Sequence, residues 1–362
     1  MPLLKSVNNV KRFILGNLTK KIGNSGKICL LTLLDKEDVK KVLIIRPNHR
    51  LGNQLLATPI VQDVIDTFPN CKIDLLAKGS IASIVFYNHK NIEKIISLPR
   101  KPFNKLFQYC LCWINVRNQH YDMVINVVSG SSSGRLLTKL SNAKYKIYSD
   151  DENGFLIKDA DNQHIAKSPV CCFRSYLEKG GISFVGKVIP SLDLHLSAEE
   201  IARGKELLNE LIKDKEQKTI CLFTFATGEK CYSSKWWEEF HQCLKSKYTH
   251  FNIIEVLPME NVSQIAFSEP SFYSKDIREI GAVIANTAIF IGADSGIMHL
   301  ASSVKTPTIG LFSITKVIKY TPYNNNSKGL NTNELSIDEL LSEIDKIIIC
   351  CHKDSNVNCS NV

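Results

Sequence analysis

Short apolar runs alternate with longer stretches of helical periodicity along most of this chain. Val42 to Ile45 precedes the polar loop RPNHRLGN and a 3.6-residue pattern through Leu55, Leu56, Ile60, Val64 and Ile65. FPNCKIDLLAKG then reads as a turn and a second strand, Lys72 to Ala77. Residues 92–98 and Asp122 to Val128 are further strands, separated by amphipathic stretches near 79–88, 102–118 and 131–140. This alternation predicts an α/β domain built on a mainly parallel sheet. Near Pro190 the pattern restarts. SLDLHLSAEEIARGKELLNELI supplies a short extended piece and then a helix whose start carries a capping box, Ser197 with Glu200. Strands over 219–225 and 252–257, helices over 235–246 and 276–286, and a last helix over 336–348 complete a second α/β series.

The second series contains FIGADSGIMHLASSVKTPTIGLF, residues 290–312. Ala288 to Ile291 and Thr308 to Phe312 suit strands buried on both faces. Between them Ile297, Leu300, Ala301 and Val304 fall at the spacing of an amphipathic helix. Asp294 is placed to cap that helix, and Gly296 leaves its first turn open to close approach. A helix start at the carboxyl end of a strand offers N–H donors and a positive dipole end to a phosphate. An ordinary capped crossover helix satisfies the same spacing.

Composition narrows the classes. The chain has 362 residues, 44% hydrophobic and 22% charged, which fits two globular domains with sizeable cores. Residues 1–27 hold Lys5, Lys11, Arg12, Lys20, Lys21, Lys27 and no acid. They carry +6 of the net +9, so the rest holds only +3, which gives little support for nucleic-acid binding. With Phe13, Ile14, Leu15 and Leu18, this arm suits either an anionic membrane surface or a loosely docked tail. None of the twelve cysteines has C-x-x-C spacing, and Cys29, Cys110, Cys112, Cys221 and Cys350 lie in apolar surroundings where they are expected to pack. A reduced, intracellular setting is the simplest expectation. No run reaches the roughly 18–20 apolar residues of a spanning helix, and ICLLTLL lacks the flanks of a signal peptide. The polar end DSNVNCSNV is expected to be disordered.

Neither half contains GxGxxG or GxxxxGK[ST]. Three polar loops after strands remain, at 46–54, 226–235 and 293–299, where open α/β sheets place their ligands.

These residues resemble a family. ADSGIMHLASSVKTPTIGLF is similar to the nucleotide-sugar signature of heptosyltransferase-type glycosyltransferases (family nine), D-[ST]-G-x-x-H-x-A before a TPT-containing strand. VLIIRPNHRLGNQLLATPIVQDVIDTFPNCKIDLL resembles the family's R-x-x-x-x-G-D loop and T-P; YDMVINVVSG resembles its Y-D-x-x-I-D strand; SSKWW resembles its K-x-W helix start. The likeness covers residues 41–323. It implies a GT-B architecture, two Rossmann-like domains with parallel sheets facing an inter-domain cleft. The expected division is a basic arm and lead-in at 1–40, an acceptor domain at 41–190, a nucleotide-sugar domain at 191–349 and a polar tail at 350–362. The resemblance further implies an inverting transferase without a catalytic metal or resident cofactor. Its donor is a nucleotide sugar such as ADP-heptose, and its acceptor a lipid-linked, lipopolysaccharide-type or other cell-surface glycan. The implied location is the bacterial cytoplasm, with the arm touching the inner face of the membrane.

By the same resemblance Asp294, Ser295, Gly296 and His299 match the donor motif, Lys235 matches a lysine paired with donor phosphate, and Glu260 matches an acid that holds the ribose. Charge on a departing diphosphate must meet N–H donors and a cation, which Ser295 to Ile297 and Lys235 can supply. His299 can add a hydrogen bond or simply pack. Trp236 and Trp237 are expected to pack. Arg46, Arg50 and Gly52 are placed for acceptor or phosphate contacts. One departure stands out: where the family loop ends G-D, with the aspartate as base, this chain has Gly52-Asn53. An amide cannot take a proton at neutral pH, so His49 is the nearest candidate base. The alternative is a catalytically silent nucleotide-sugar or glycan-binding module.

Overall fold

The computed structural model describes residues 34–99, 106–128, 130–149 and 160–357. The basic arm at 1–27, the ICLLTLL run apart from Leu34, and residues 358–362 lie outside the described residues. The chain divides into two compact units, Met1–Pro190 and Ser191–Val362.

The described residues of the first unit form five strands: β1 (Lys41–Ile45), β2 (Lys72–Lys78), β3 (Ile92–Leu98), β4 (His120–Asn126) and β5 (Asn142–Tyr148). They form one sheet in the order β3-β2-β1-β4-β5, every pair parallel. Its helices are α1 (Leu51–Leu55), α2 (Thr58–Thr67), α3 (Ile81–Val85), α4 (Leu106–Asn118), α5 (Ser132–Leu140), α6 (Ala160–Gln163) and α7 (Lys167–Glu178). The central strand β1 buries Val42 to Ile45 completely, because helices cover both faces of a parallel sheet. One face packs Leu43, Ile45, Leu76, Tyr121 and Val124 against Cys112 and Val116 of α4. Strand ends are pinned by carboxylates: Asp122 accepts from the N–H groups of Lys40 and Lys41 at 2.9 and 2.8 Å, and buried Asp74 accepts from Tyr121 at 2.8 Å.

The described residues of the second unit form six strands: β6 (Thr219–Phe223), β7 (Asn252–Val256), β8 (Ser271–Phe272), β9 (Ile289–Ala293), β10 (Thr308–Phe312) and β11 (Lys328–Asn331). Their order is β11-β10-β9-β6-β7-β8, again all parallel. Helices α8 (Ala198–Leu211), α9 (Ser234–Lys247), α10 (Ile277–Ala285), α11 (Gly296–Ser303), α12 (Val317–Tyr320) and α13 (Ile337–Val357) surround it. Strands β6, β9 and β10 are buried at every position. Each apolar side chain so enclosed contributes about 1.5–3 kcal/mol relative to exposure. The capping box forms as the sequence predicts: Glu200 N–H donates to Ser197 Oγ at 3.2 Å, and Ser197 N–H donates to the Glu200 carboxylate at 2.7 Å. Arg278 of α10 reaches the same carboxylate at 2.5 and 2.8 Å, and Gly204 brings α8 against the Ala282 backbone.

Three differences from the sequence reading have clear causes. Helix α13 runs on to Val357, so the first residues of the tail expected to be disordered continue the helix that Leu340, Leu341 and Ile344 anchor in the core. Cys112 packs as expected, but Cys110 is exposed, because it lies on the side of α4 turned away from the sheet. Strands β5, β8 and β11 carry no regular apolar run, which is why periodicity does not announce them. Among the described residues no helix is long and apolar enough to cross a membrane.

Candidate functional site

In each sheet the strand order reverses beside a central strand. In the first, successive strands run outward from β1 to β3 and then restart at β4 on the other side. In the second, they run from β6 to β8 and restart at β9. The crevices outside the carboxyl ends of β1/β4 and of β6/β9 are the places such sheets keep for ligands. The three loops picked out from the sequence all begin there.

In the second unit the crevice is closed by an ion pair. The β6 loop turns through Gly228 (φ +67°) and a short 3-10 turn, which carries Lys230 across to Asp294 at the end of β9. Lys230 Nζ donates to Asp294 Oδ2 at 2.6 Å, and the Thr315 hydroxyl after β10 donates to the same oxygen. Asp294 is buried while Lys230 keeps about a third of its side chain exposed, so the cation faces the open side. This corrects the capping assignment: Ser295, not Asp294, caps α11, accepting from Met298 N–H at 3.2 Å. Asp294 is turned instead toward its cation. Ser295, Gly296 and Ile297 are half-buried, so the first turn of α11 is open to approach. His299 lies one turn deeper and is buried, its ring 6.4 Å from Tyr320; the Lys230 ammonium lies 5.8 Å from the same Tyr320 ring.

Lys235 and Glu260 do not join this cluster through any described contact. Lys235 is exposed in the first turn of α9, and Glu260 is exposed in the loop after β7. The acid that the fold buries there is Glu255, within β7. It accepts from Thr224 at 2.5 Å and Ser263 at 2.6 Å, and burial raises its pKa despite those donors. Trp237 packs in the core as expected, while Trp236 is half-buried and stacked between Tyr232 (4.4 Å) and Phe240 (5.3 Å). Burial holds the Tyr232 phenol above its ordinary pKa. The sequence reading missed Lys230, although it sits in the loop singled out; the signal was Gly228, which permits the turn that carries it inward.

The first unit builds its crevice from amides. Arg46, buried at the end of β1, donates through Nε to the Asn53 backbone oxygen at 3.0 Å and through Nη2 to Asn53 Oδ1 at 2.9 Å. Gly52 is buried in α1, and Gln54 donates to the Asn48 carbonyl at 2.6 Å. His49 and Arg50 are exposed on the loop itself. Strand β4 ends on Asn126, fully buried, where the Y-D-x-x-I-D pattern carries aspartate. Its side chain turns back on its own strand end, donating to the Val128 carbonyl at 3.1 Å. Among the described residues no group of three His, Cys, Asp or Glu side chains is placed to hold a metal ion.

Comparison with known proteins gives a consistent picture. Residues 274–342, which include the Asp294–His299 turn, match the family described as glycosyltransferase family 9 (heptosyltransferase). The chain is 24% identical over 298 residues to lipopolysaccharide heptosyltransferase 3 of Escherichia coli strain K12, covering 76% of this chain and 83% of that one. A solved family 9 glycosyltransferase from Veillonella parvula superposes with a TM-score of 0.70 at 15% identity, over 88% of this chain and 99% of that one. E. coli heptosyltransferase WaaC, solved with ADP, superposes with a TM-score of 0.61 at 17% identity, over 85% and 99%. The two-sheet architecture is that of these GT-B structures.

Proposed function

We propose that this chain, a heptosyltransferase-like glycosyltransferase of family 9, moves a sugar from a nucleoside diphosphate to a cell-surface glycan acceptor, inverting the anomeric carbon without a catalytic metal. The observation that carries the donor half is the Lys230–Asp294 pair set across the β6/β9 crevice in front of the α11 start. A departing diphosphate gains charge as the glycosidic bond breaks. Preorganised donors and a cation at that point lower the barrier, because they need no rearrangement during the reaction. Lys230 supplies the cation, with Ser295 to Ile297 supplying the helix start. Lys235, exposed in the first turn of α9 at the end of the same loop, is a second cation. Asp294 holds Lys230 in place, and the ammonium, with three N–H donors, can donate to an arriving phosphate at the same time.

ADP-heptose as donor and a lipopolysaccharide-type acceptor are supported by relatives alone: WaaC has been solved with ADP and with ADP-2-deoxy-2-fluoro heptose, and the E. coli relative is named for lipopolysaccharide. Inversion requires the acceptor hydroxyl to lose a proton. Asn53 cannot take it, and its carbonyl oxygen already accepts from Arg46. His49, exposed on the same loop, is the side chain we assign to receive it. Peripheral membrane contact through residues 1–27, at the cytoplasmic face, belongs to the same reading.

Titration calorimetry with ADP tests the donor site. Lys230→Ala should weaken binding about tenfold to a hundredfold, the worth of one charge-assisted hydrogen bond. Asp294→Ala should also weaken it, by releasing Lys230, and Lys235→Ala should weaken it less. Wild-type affinity in both Lys230→Ala and Asp294→Ala would remove the β6/β9 crevice as the donor site. Binding in the wild type without turnover of any sugar nucleotide would favour the silent module.

A further inference from the structure

Helix α4 (LFQYCLCWINVRN) departs from the usual pattern of a surface helix, an apolar stripe backed by a polar face. Its inner side is spent on the sheet, where Cys112 and Val116 are buried. Its outer side is apolar too: Phe107 is 76% exposed, Ile114 51% and Leu111 40%. Neighbouring α5 exposes Leu140 at 41%. Between the two helices lies a groove of about 380 Å³, walled by Tyr109, Cys110, Trp113, Ile114, Leu137 and Leu140. The Trp113 indole lies against the Tyr109 ring, centroids 5.7 Å apart. Contiguous exposed apolar surface of this kind marks an interaction site.

Charge says what kind. Residues 106–118 and 132–148 contain Arg117, Arg135, Lys139, Lys144 and Lys146, and no carboxylate. Arg117 and Ser141 border the groove. Lys146 is fixed beside it, donating to the carbonyls of Lys139 at 2.9 Å and Ser141 at 2.7 Å. Lys144 pairs with Asp38 at 3.7 Å. A second copy of the chain meeting this face about a two-fold axis would set these cations against themselves. The basic arm would be repelled for the same reason. An anionic lipid surface answers both features, since acyl chains match the groove and phosphates match the cationic border.

We propose that the α4–α5 face docks on an anionic lipid bilayer, with an acyl chain entering the groove and Arg117, Lys139 and Lys146 meeting headgroup phosphates. The docking stands whether or not the chain transfers a sugar. Full-length protein should co-sediment with phosphatidylcholine vesicles containing phosphatidylglycerol, and far less with phosphatidylcholine alone. Phe107→Ser with Ile114→Ser should reduce that binding about tenfold or more, as should Arg117→Glu with Lys139→Glu. All four side chains are exposed, so unchanged thermal unfolding is expected of both variants. Lipid brominated along its acyl chains should quench part of the tryptophan emission, and Trp113→Phe should abolish that part. Wild-type vesicle binding by the Phe107→Ser, Ile114→Ser variant would overturn the proposal. So would equal binding to neutral vesicles, bromine quenching that persists in Trp113→Phe, or no binding at all. A concentration-dependent dimer that the same variant abolishes would assign the face to a second copy instead.

Discussion

The crevice beside β1 and the crevice beside β9 occupy corresponding places in two sheets of the same kind, yet they are built from opposite chemistry. Beside β9 a carboxylate, Asp294, is held by a lysine that arrives from the loop of a different strand. Beside β1 an arginine, Arg46, is held by an amide seven residues along its own loop, and the adjoining strand also ends on an amide, Asn126. A lysine held by a carboxylate keeps two further N–H donors for an arriving anion. Beside β1 the amide that holds the arginine contributes no base. On the proposed function the second crevice takes the phosphate donor, and the first orients the acceptor with proton transfer left to His49.

Proton transfer is where this contrast breaks most visibly. His49→Ala should lower turnover by about a hundredfold to ten-thousandfold, the usual worth of a positioned base. His49→Gln should not rescue it, since an amide restores hydrogen bonding without basicity. Near-wild-type turnover in His49→Ala at saturating acceptor would leave the first crevice without its base, and the contrast with the second would lose its mechanistic meaning.

Converting one crevice toward the other gives a smaller effect. Asn53→Asp places a carboxylate against the buried Arg46 guanidinium and turns a neutral hydrogen bond into a charge-assisted one. The variant should resist urea better by about 1 kcal/mol. The arginine holds the new carboxylate ionised and poorly basic, so turnover should not rise with stability. A rate gain would instead show that position 53 still reaches the acceptor proton.

Glu255 gives the smallest signal. It anchors the start of the β6 loop through Thr224, and burial raises its pKa in the folded state above the ordinary 4.5. At low pH the carboxyl is protonated whether folded or unfolded, and its burial carries no charge penalty. As pH rises through the folded-state value, the unfolded chain releases the proton more readily, so folded stability falls. Glu255→Gln should lack this loss, and the Tm of the variant should overtake the wild type from mildly acid toward neutral pH. Parallel pH profiles for the two proteins would mean that Glu255 is ionised in its place.

Much of this was legible in the chain because buried parallel strands write themselves as apolar runs. The strand read at 72–77 is β2, Lys72–Lys78; the strand read at 308–312 is β10, and the helix read at 235–246 is α9. The Asp294–His299 turn was equally visible, since glycine, a capping side chain and helical spacing fall together there. What lay hidden was contact between segments distant in sequence. Lys230 and Asp294 are 64 residues apart, and nothing in either local pattern says that one points at the other. Asp294 and Ser295 are both good caps, so only the backbone at the strand end decided between them. The groove of α4 was hidden for a different reason: an apolar run reads the same whether all of it or half of it is covered.

The all-parallel pairing of both sheets sets the order in which this chain can acquire its shape. Among the described residues no strand pairs through a tight hairpin; each must wait for a crossover to be made. Ile220 of β6 meets Ile289 of β9 only after β7, β8 and their helices have been synthesised, and Val42 of β1 must likewise await Met123. During translation, the bare flanks of β1 and β6 are thus exposed for as long as the intervening chain takes to emerge. Closing such long loops before any contact rewards them makes folding slow, and the waiting strands are open to association with other chains. The two reversal points that hold the crevices pair the strands farthest apart in sequence within each sheet, so neither crevice exists until β4 and β9 have emerged.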